Sequence, residues 1–327
     1  MGIATDIYEP KIITLQQHAD DCRRLGIPVY FSGHGWFWKQ GERGSCVRFP
    51  TPITTTPEPS ELNKMHLRHL IPLLSYVREP DAEHPANAYV YKLDAPYVFS
   101  KLKSKERRNA NKALNAFRYE FIDWDTLNRH GYEAYRDTRI KAQLHDFSPE
   151  HFKERMAKLR NWSGTNILAC WSGDRLAAFL AFMMFDDRCE GLLWCTNAEF
   201  IDNNPNNGLY HTANEFILNR CGMKSFCIGI SSLQQTATFG QHRFRVSVGF
   251  TPLEVYREFH LHPLLRPLFG LPTLSLLESI QAKFPQQRQL RKIVGAFSLM
   301  HGRKSKEIVP ASPESLLKPE EVALSEE

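Results

Sequence analysis

The run Leu176-Ala-Ala-Phe-Leu-Ala-Phe-Met-Met-Phe185 restricts this chain more than any other stretch. Its ten residues are apolar throughout, and turn formers close both ends: Ser172-Gly173-Asp174 before it and Asp186-Asp187-Arg188 after it. A membrane-crossing helix needs about 20 apolar residues, and no run of 18 occurs anywhere in the sequence. The segment reads as a long strand. Asn166–Trp171 and Gly191–Thr196, just beyond the two turns, read as its antiparallel neighbours in a three-stranded meander.

The segments around the meander set the class. Phe117–Ile122 reads as a strand, and Trp124–Gln143 and Pro149–Trp162 as two helices. After the meander come a helix from Leu209 to about Cys221 with Gly222 at its C-cap, a strand at Ser225–Ile230, a helix at Thr236–Val248 and a strand at Thr251–His260. This order is mixed α/β, and a plain doubly wound sheet would alternate throughout instead.

The flanks are less regular. Residues 1–95 hold a helix at Leu15–Leu25, a strand at Pro28–Phe37 broken by glycines at 33 and 35, a strand at Ser45–Phe49, a Thr/Pro connector, helical spacing over Glu61–Val77 interrupted by Pro72, and a strand at Tyr89–Leu93. They form either a reduced companion domain, the reading preferred here, or an N-terminal embellishment. Residues 96–262 form the main domain, 263–305 a helical extension, and 306–327 an acidic tail expected to be disordered.

Charge and cysteine usage exclude several classes. A net charge of +5 on 327 residues suits an anionic partner but is too weak to argue for nucleic acid alone. The seven cysteines are odd in number and contain no Cys-x-x-Cys pair, so neither a disulfide framework nor a metal site is expected. Met1–Pro10 has no apolar run, and Asp6 stands where a myristoylation signal needs Ser or Thr. The cytoplasm is the expected compartment.

Two segments suggest chemistry. The loop Phe200-Ile-Asp-Asn-Asn-Pro-Asn-Asn-Gly-Leu-Tyr210 leads from a strand into a helix. A helix starting there offers free backbone N–H groups and the positive end of its dipole, and a glycine permits close approach, as a pyrophosphate requires. An ordinary Asn/Gly-capped helix is the other reading. The segment Lys101–Phe117, with Ser100 as its cap, is strongly basic: a solvated face, or a cationic helix beside an anionic ligand.

Residues 117–262 resemble the GNAT acyltransferase fold in element order, a mixed, mainly antiparallel sheet flanked by helices. Asn207–Ile230, with Gly222 and Gly229 ending helix and strand, is similar to a block of the Fem-type (FemAB-related) subgroup. So are Phe244-Arg245-Val246-Ser247-Val248-Gly249-Phe250 and the basic helix upstream. The resemblance implies an acyltransferase that moves an acetyl or other acyl group from acyl-CoA to an amine or hydroxyl acceptor by direct attack. It also allows a truncated second GNAT-like half in the N-terminal region. Peptide, sugar or small-molecule amines are the implied acceptors. A Fem-type transferase using aminoacyl-tRNA is one alternative, and a binding module that has lost its chemistry is another.

On that resemblance, Cys195, Thr196, Asn197, Asn206, Asn207, Gly208, Leu209 and Tyr210 would bind acetyl-CoA. The family's phosphate run is degenerate here, with one glycine and no leading basic residue. Glu199 or Asp202 could act as base. No tyrosine lies between Ser231 and Phe250, where many members keep the catalytic acid, so His242 and Ser232 are the expected stand-ins. Trp36, Trp38, Arg48 and Arg245 are candidate substrate contacts, with Tyr30 and His34 beside the tryptophans. Cys195 as a nucleophile and His211 as a site residue are the weaker options, since a cysteine in an apolar strand is usually inert core.

Overall fold

The structure, a computed structural model, describes residues 8–32, 35–41, 44–51, 53–142, 144, 147–231, 238–285 and 287–301. The elements begin with β1 (Ile12–Ile13), α1 (Leu15–Arg24), β2 (Val29–Phe31), β3 (Phe37–Gln40), β4 (Cys46–Phe49), α2 (Pro59–Asn63), β5 (Leu73–Arg78), β6 (Ala88–Asp94) and α3 (Ser104–Ala116). They continue with β7 (Arg118–Phe121), α4 (Trp124–His130), α5 (Tyr132–Lys141), α6 (Pro149–Arg160), β8 (Thr165–Ser172), β9 (Arg175–Phe185) and β10 (Arg188–Thr196). The last are α7 (Pro205–Asn214), β11 (Ser225–Ile230), α8 (Thr238–Ser247), β12 (Thr251–Leu261), α9 (Leu271–Lys283) and α10 (Arg288–Met300).

The chain divides into two compact units that interleave along the sequence. The first comprises residues 1–39, 91–229 and 242–252; the second comprises 40–90, 230–241 and 253–327.

In the first unit, β7, β8, β9 and β10 form an antiparallel meander, β1 pairs parallel with the end of β9, and β11 pairs parallel with the start of β10. Every residue of β9 beyond Arg175 is buried, which explains why it reads as an unbroken apolar run. One set of its side chains, with Phe179 and Ala181, packs with Trp124, Leu127, Tyr135, Phe152 and Met156 from α4, α5 and α6. Two of these helices, α4 and α6, start on side-chain caps. The Asp123 carboxylate accepts from the Thr126 N–H at 2.7 Å and the Ser148 hydroxyl from His151 N–H at 3.2 Å.

The second unit contains β4 parallel to β5, with β12 antiparallel on the other side of β5. Its C-terminal pair α9–α10 buries Leu274, Leu290, Val294 and Phe297 against one another. Among the described residues no helix is long and apolar enough to cross a membrane.

Four expectations need correction. The strand over Pro28–Phe37 is two, β2 and β3, paired antiparallel. The single helix over Trp124–Gln143 is two, α4 and α5. They part at Gly131, where a Cβ would lie 2.7 Å from Leu127. The helical spacing over Glu61–Val77 ends early: Lys64–Arg68 is a wide helical turn, and Leu73–Arg78 is strand β5. Pro72 stops the helix, and the Leu/Tyr/Val content beyond it suits a strand. Ser100 does not cap α3. It lies in the tight turn Phe99–Lys101, and its carbonyl accepts from Arg107 at 2.9 Å.

Candidate active site

In the first unit β10 begins parallel to β11, and the pairing runs from Arg188–Ser225 to Glu190–Cys227. A register shift between Gly191 and Leu193 then bulges β10, which continues to Thr196 on β9 alone. Beyond Glu190 no pairing of β10 with β11 is present among the described residues, although Gly191 still lies against Ile228, where a Cβ would be 3.6 Å from its Cα.

The side chains beside the end of this pairing are chemically unusual. Arg245 of α8 is 8% exposed, stacks at 4.4 Å over the Tyr91 ring and lies 5.3 Å from the Trp194 ring. Among the described residues it pairs with no carboxylate, and its buried Nε has no hydrogen-bond partner. A buried charge without an acid partner is costly, by several kcal/mol in typical proteins. Cation–π contact with two rings offsets only part of that cost.

Tyr91 Oη lies 2.9 Å from His242 Nδ1. Burial holds the His242 imidazole below its ordinary range, and the neighbouring Arg245 charge adds to this. The ring is therefore neutral near pH 7 and has a lone pair to receive a proton. Burial pushes the Tyr91 hydroxyl up, and Arg245 opposes that push. Glu190 is buried where the pairing ends, and its field acts on both Lys39 and Cys227. Burial lowers the Lys39 ammonium, and Glu190 pulls it back.

Of the expected site residues, the structure brings together His242 and Arg245. Tyr91 was missed. It stands on β6, far from α8 in sequence, and neither spacing nor composition links the two.

The loop residues form a second group. Thr196 Oγ1 donates to Asn206 Oδ1 at 2.8 Å, the Thr196 N–H donates to Thr138 Oγ1 at 2.8 Å, and Asn197 Nδ2 donates to Glu133 at 3.2 Å. Asn207 Nδ2 reaches Glu106 of α3 at 3.2 Å, and Lys112 Nζ donates to the Asp202 carbonyl at 3.0 Å. Gly208 faces this helix. A Cβ there would lie 2.1 Å from Tyr119 Oη and 3.0 Å from Ala113 Cβ. Close packing of α7 on α3 and β7 thus accounts for the glycine without a ligand. Leu209 is wholly buried, and Tyr210 packs edge-on against Phe244 and Phe250 at 5.6 and 5.9 Å.

The remaining candidates lie elsewhere. Both Glu199 carboxylate oxygens are engaged by Arg175, at 2.6 and 2.7 Å, in an exposed pair. Cys195 is buried in β10, and burial pushes its thiol up to about 12, against a nucleophilic role. His211 lies 3.1 Å from Tyr97 Oη and packs on Phe99. Trp36 and Trp38 are core residues of the first unit. Arg48, in the second, donates to the carbonyls of Ile53, Thr55 and Val77. Ser232 and His34 lie outside the described residues.

No family model and no curated protein matches the chain. Among solved structures it is similar to FemX, with a TM-score of 0.53 at 9% identity over 77% of this chain and 93% of that one. The chain has the GNAT fold.

Two further similar structures are the C-terminal domain of a putative lysylphosphatidylglycerol synthetase from Agrobacterium fabrum and a tandem GNAT protein from the clavulanic acid biosynthesis pathway. The first has a TM-score of 0.49 at 11% identity, covering 82% of this chain and 95% of that one. The second has 0.42 at 8%, covering 70% and 79%.

Proposed function

We propose that this chain transfers an activated acyl group to an amine, with the reaction centred where β10 leaves β11. The observation that carries the reading is Arg245, a buried guanidinium without an acid partner among the described residues, next to a neutral histidine hydrogen-bonded to a tyrosine. An acyl transfer needs both parts: positive charge for the oxyanion that develops on the carbonyl, and a group that takes the amine proton. The amine nitrogen attacks the carbonyl carbon and His242 takes its proton. The bond to the leaving sulfur or oxygen then breaks, and Tyr91 with His242 returns a proton to the leaving group. Arg245 supplies the field that the negative charge meets.

Acyl-CoA is the first donor to test, following the GNAT resemblance. A second reading, aminoacyl-tRNA, is favoured by α3 and the turn before it. Lys101, Lys103, Lys105 and Arg108 are exposed there, and none pairs with an acid among the described residues. Such a row suits a polyphosphate backbone.

The test is transfer of a radiolabelled acyl group from acetyl-CoA, and separately from charged tRNA, to a panel of amines, using wild type and Arg245→Met. Label transfer from either donor that the variant loses supports the reading and names the donor. No transfer and no binding of either donor would overturn it and leave a non-catalytic binding module.

A further inference from the structure

The second unit holds a cavity of about 380 Å³ that the transfer chemistry does not use. That volume falls within the range of small-molecule sites, about 300–1,000 Å³. Pro57, Pro59 and Leu62 give it an apolar wall; Arg78, Glu258 and Arg266 are the charged groups of its lining.

The charges are unevenly paired. Glu258 accepts from Arg78 Nε at 2.9 Å and from the Tyr76 hydroxyl, its cross-strand partner. Arg78 reaches on to Asp81 at 2.7 Å. Arg266 pairs with no carboxylate among the described residues.

What holds Arg266 is a directed relay of neutral rings. The Ile71 carbonyl can only accept, so His66 Nδ1, at 2.6 Å, carries a proton. A guanidinium can only donate, so His260 Nε2, 2.9 Å from Arg266, is bare. The 2.8 Å contact between His66 Nε2 and His260 Nδ1 then has one solution, in which His260 donates. Each ring N–H of the row meets an acceptor with both histidines uncharged, and burial lowers both rings. The relay orients the guanidinium and spends one of its five N–H donors without neutralising its charge.

We propose that this cavity binds a small organic carboxylate, its head paired with Arg266 and its apolar body along Pro57, Pro59 and Leu62. The planar guanidinium fork matches a carboxylate. The Glu258 carboxylate in the same lining disfavours a doubly charged phosphate. The site is separate from the acyl-transfer reading and stands or falls without it.

Calorimetric titration with hexanoate, hexanol and inorganic phosphate tests the proposal. Hexanoate is expected to bind wild type, and Arg266→Gln to weaken it by at least about tenfold. Arg266→Lys should keep part of the affinity. Arg266 is exposed and bonded through its side chain to His260 alone among the described residues, so both variants should fold; unchanged melting temperatures check this. Hexanoate binding unchanged in Arg266→Gln, hexanol binding as tightly as hexanoate, phosphate binding in preference to hexanoate, or no hexanoate binding at tens of millimolar would each overturn the proposal.

Discussion

Tyr91 Oη stands 2.9 Å from His242 Nδ1, joining two residues 151 positions apart in the chain. In the proposed transfer this contact would be the proton-handling pair, α8 having no tyrosine. His242→Gln and Tyr91→Phe are each expected to lower the transfer rate by about 10²–10³, the usual weight of one acid or base, with little change in donor KM. Because His242 is held below its ordinary range, the rate should fall only as the solution is acidified past that depressed value. A pH–rate profile on wild type and His242→Gln checks both points. A full rate in His242→Gln would remove it as the base.

Arg245 should separate stability from activity. Met in its place removes a buried charge that no described acid compensates, while keeping apolar volume against Tyr91 and Trp194. Arg245→Met is expected to gain about 1 kcal/mol or more in urea unfolding and to lose at least about 100-fold in transfer rate. A variant that unfolds more easily would mean that the cation–π contacts outweigh the desolvation cost.

Glu199 should matter little. It is exposed, and its pair with Arg175 lies where solvent screens it, so Glu199→Gln is expected to leave the urea-unfolding midpoint near that of wild type. Its transfer rate should stay near wild type. Loss of the rate in Glu199→Gln with an unchanged fold would restore it as the base and demote His242.

Much of the architecture is legible in the sequence because local rules and tertiary structure agree along the meander. Turn residues flank β9, its burial on both faces leaves no polar position, and Gly222 adopts the positive φ of 67° that a helix C-cap uses. Leu73–Arg78 misleads because its apolar spacing fits a helix until β4 and β12 pair with it. The candidate site is legible only on α8, where His242 and Arg245 stand three residues apart among the helix's polar residues. Tyr91 reaches them through the fold, and no local pattern encodes that. Gly208 misleads in the other direction: a glycine opening a helix reads as room for phosphate, whereas here it admits a tyrosine.

Gly208→Ala tests that last point. The added methyl would sit 2.1 Å from Tyr119 Oη and 2.7 Å from its Cζ, so either α7 or Tyr119 must shift. Tyr119 is buried, and its hydroxyl donates to the Pro205 carbonyl at 3.3 Å. A loss of about 1–3 kcal/mol in urea unfolding is expected. Tyr119→Phe in the same chain should recover part of it by removing the nearest atom. If Gly208→Ala keeps wild-type stability and loses only donor binding, the glycine serves the ligand rather than the helix contact.

Acid should unfold the first unit through His18. Burial first, and then the Lys39 charge, hold this imidazole down at about 3, against an ordinary value of about 6.5. Above the ordinary value neither state carries the proton, and His18 leaves stability unchanged. Below it the unfolded chain takes up a proton that the folded one refuses, so stability falls with pH. The slope is about 1.4 kcal/mol per pH unit and runs until the folded ring titrates. His18→Leu, which keeps an apolar side chain beside Phe37 and Trp162, should flatten the stability profile between about pH 6 and 4. Equal slopes in wild type and variant, measured by urea unfolding at stepped pH, would show that other groups drive the acid transition.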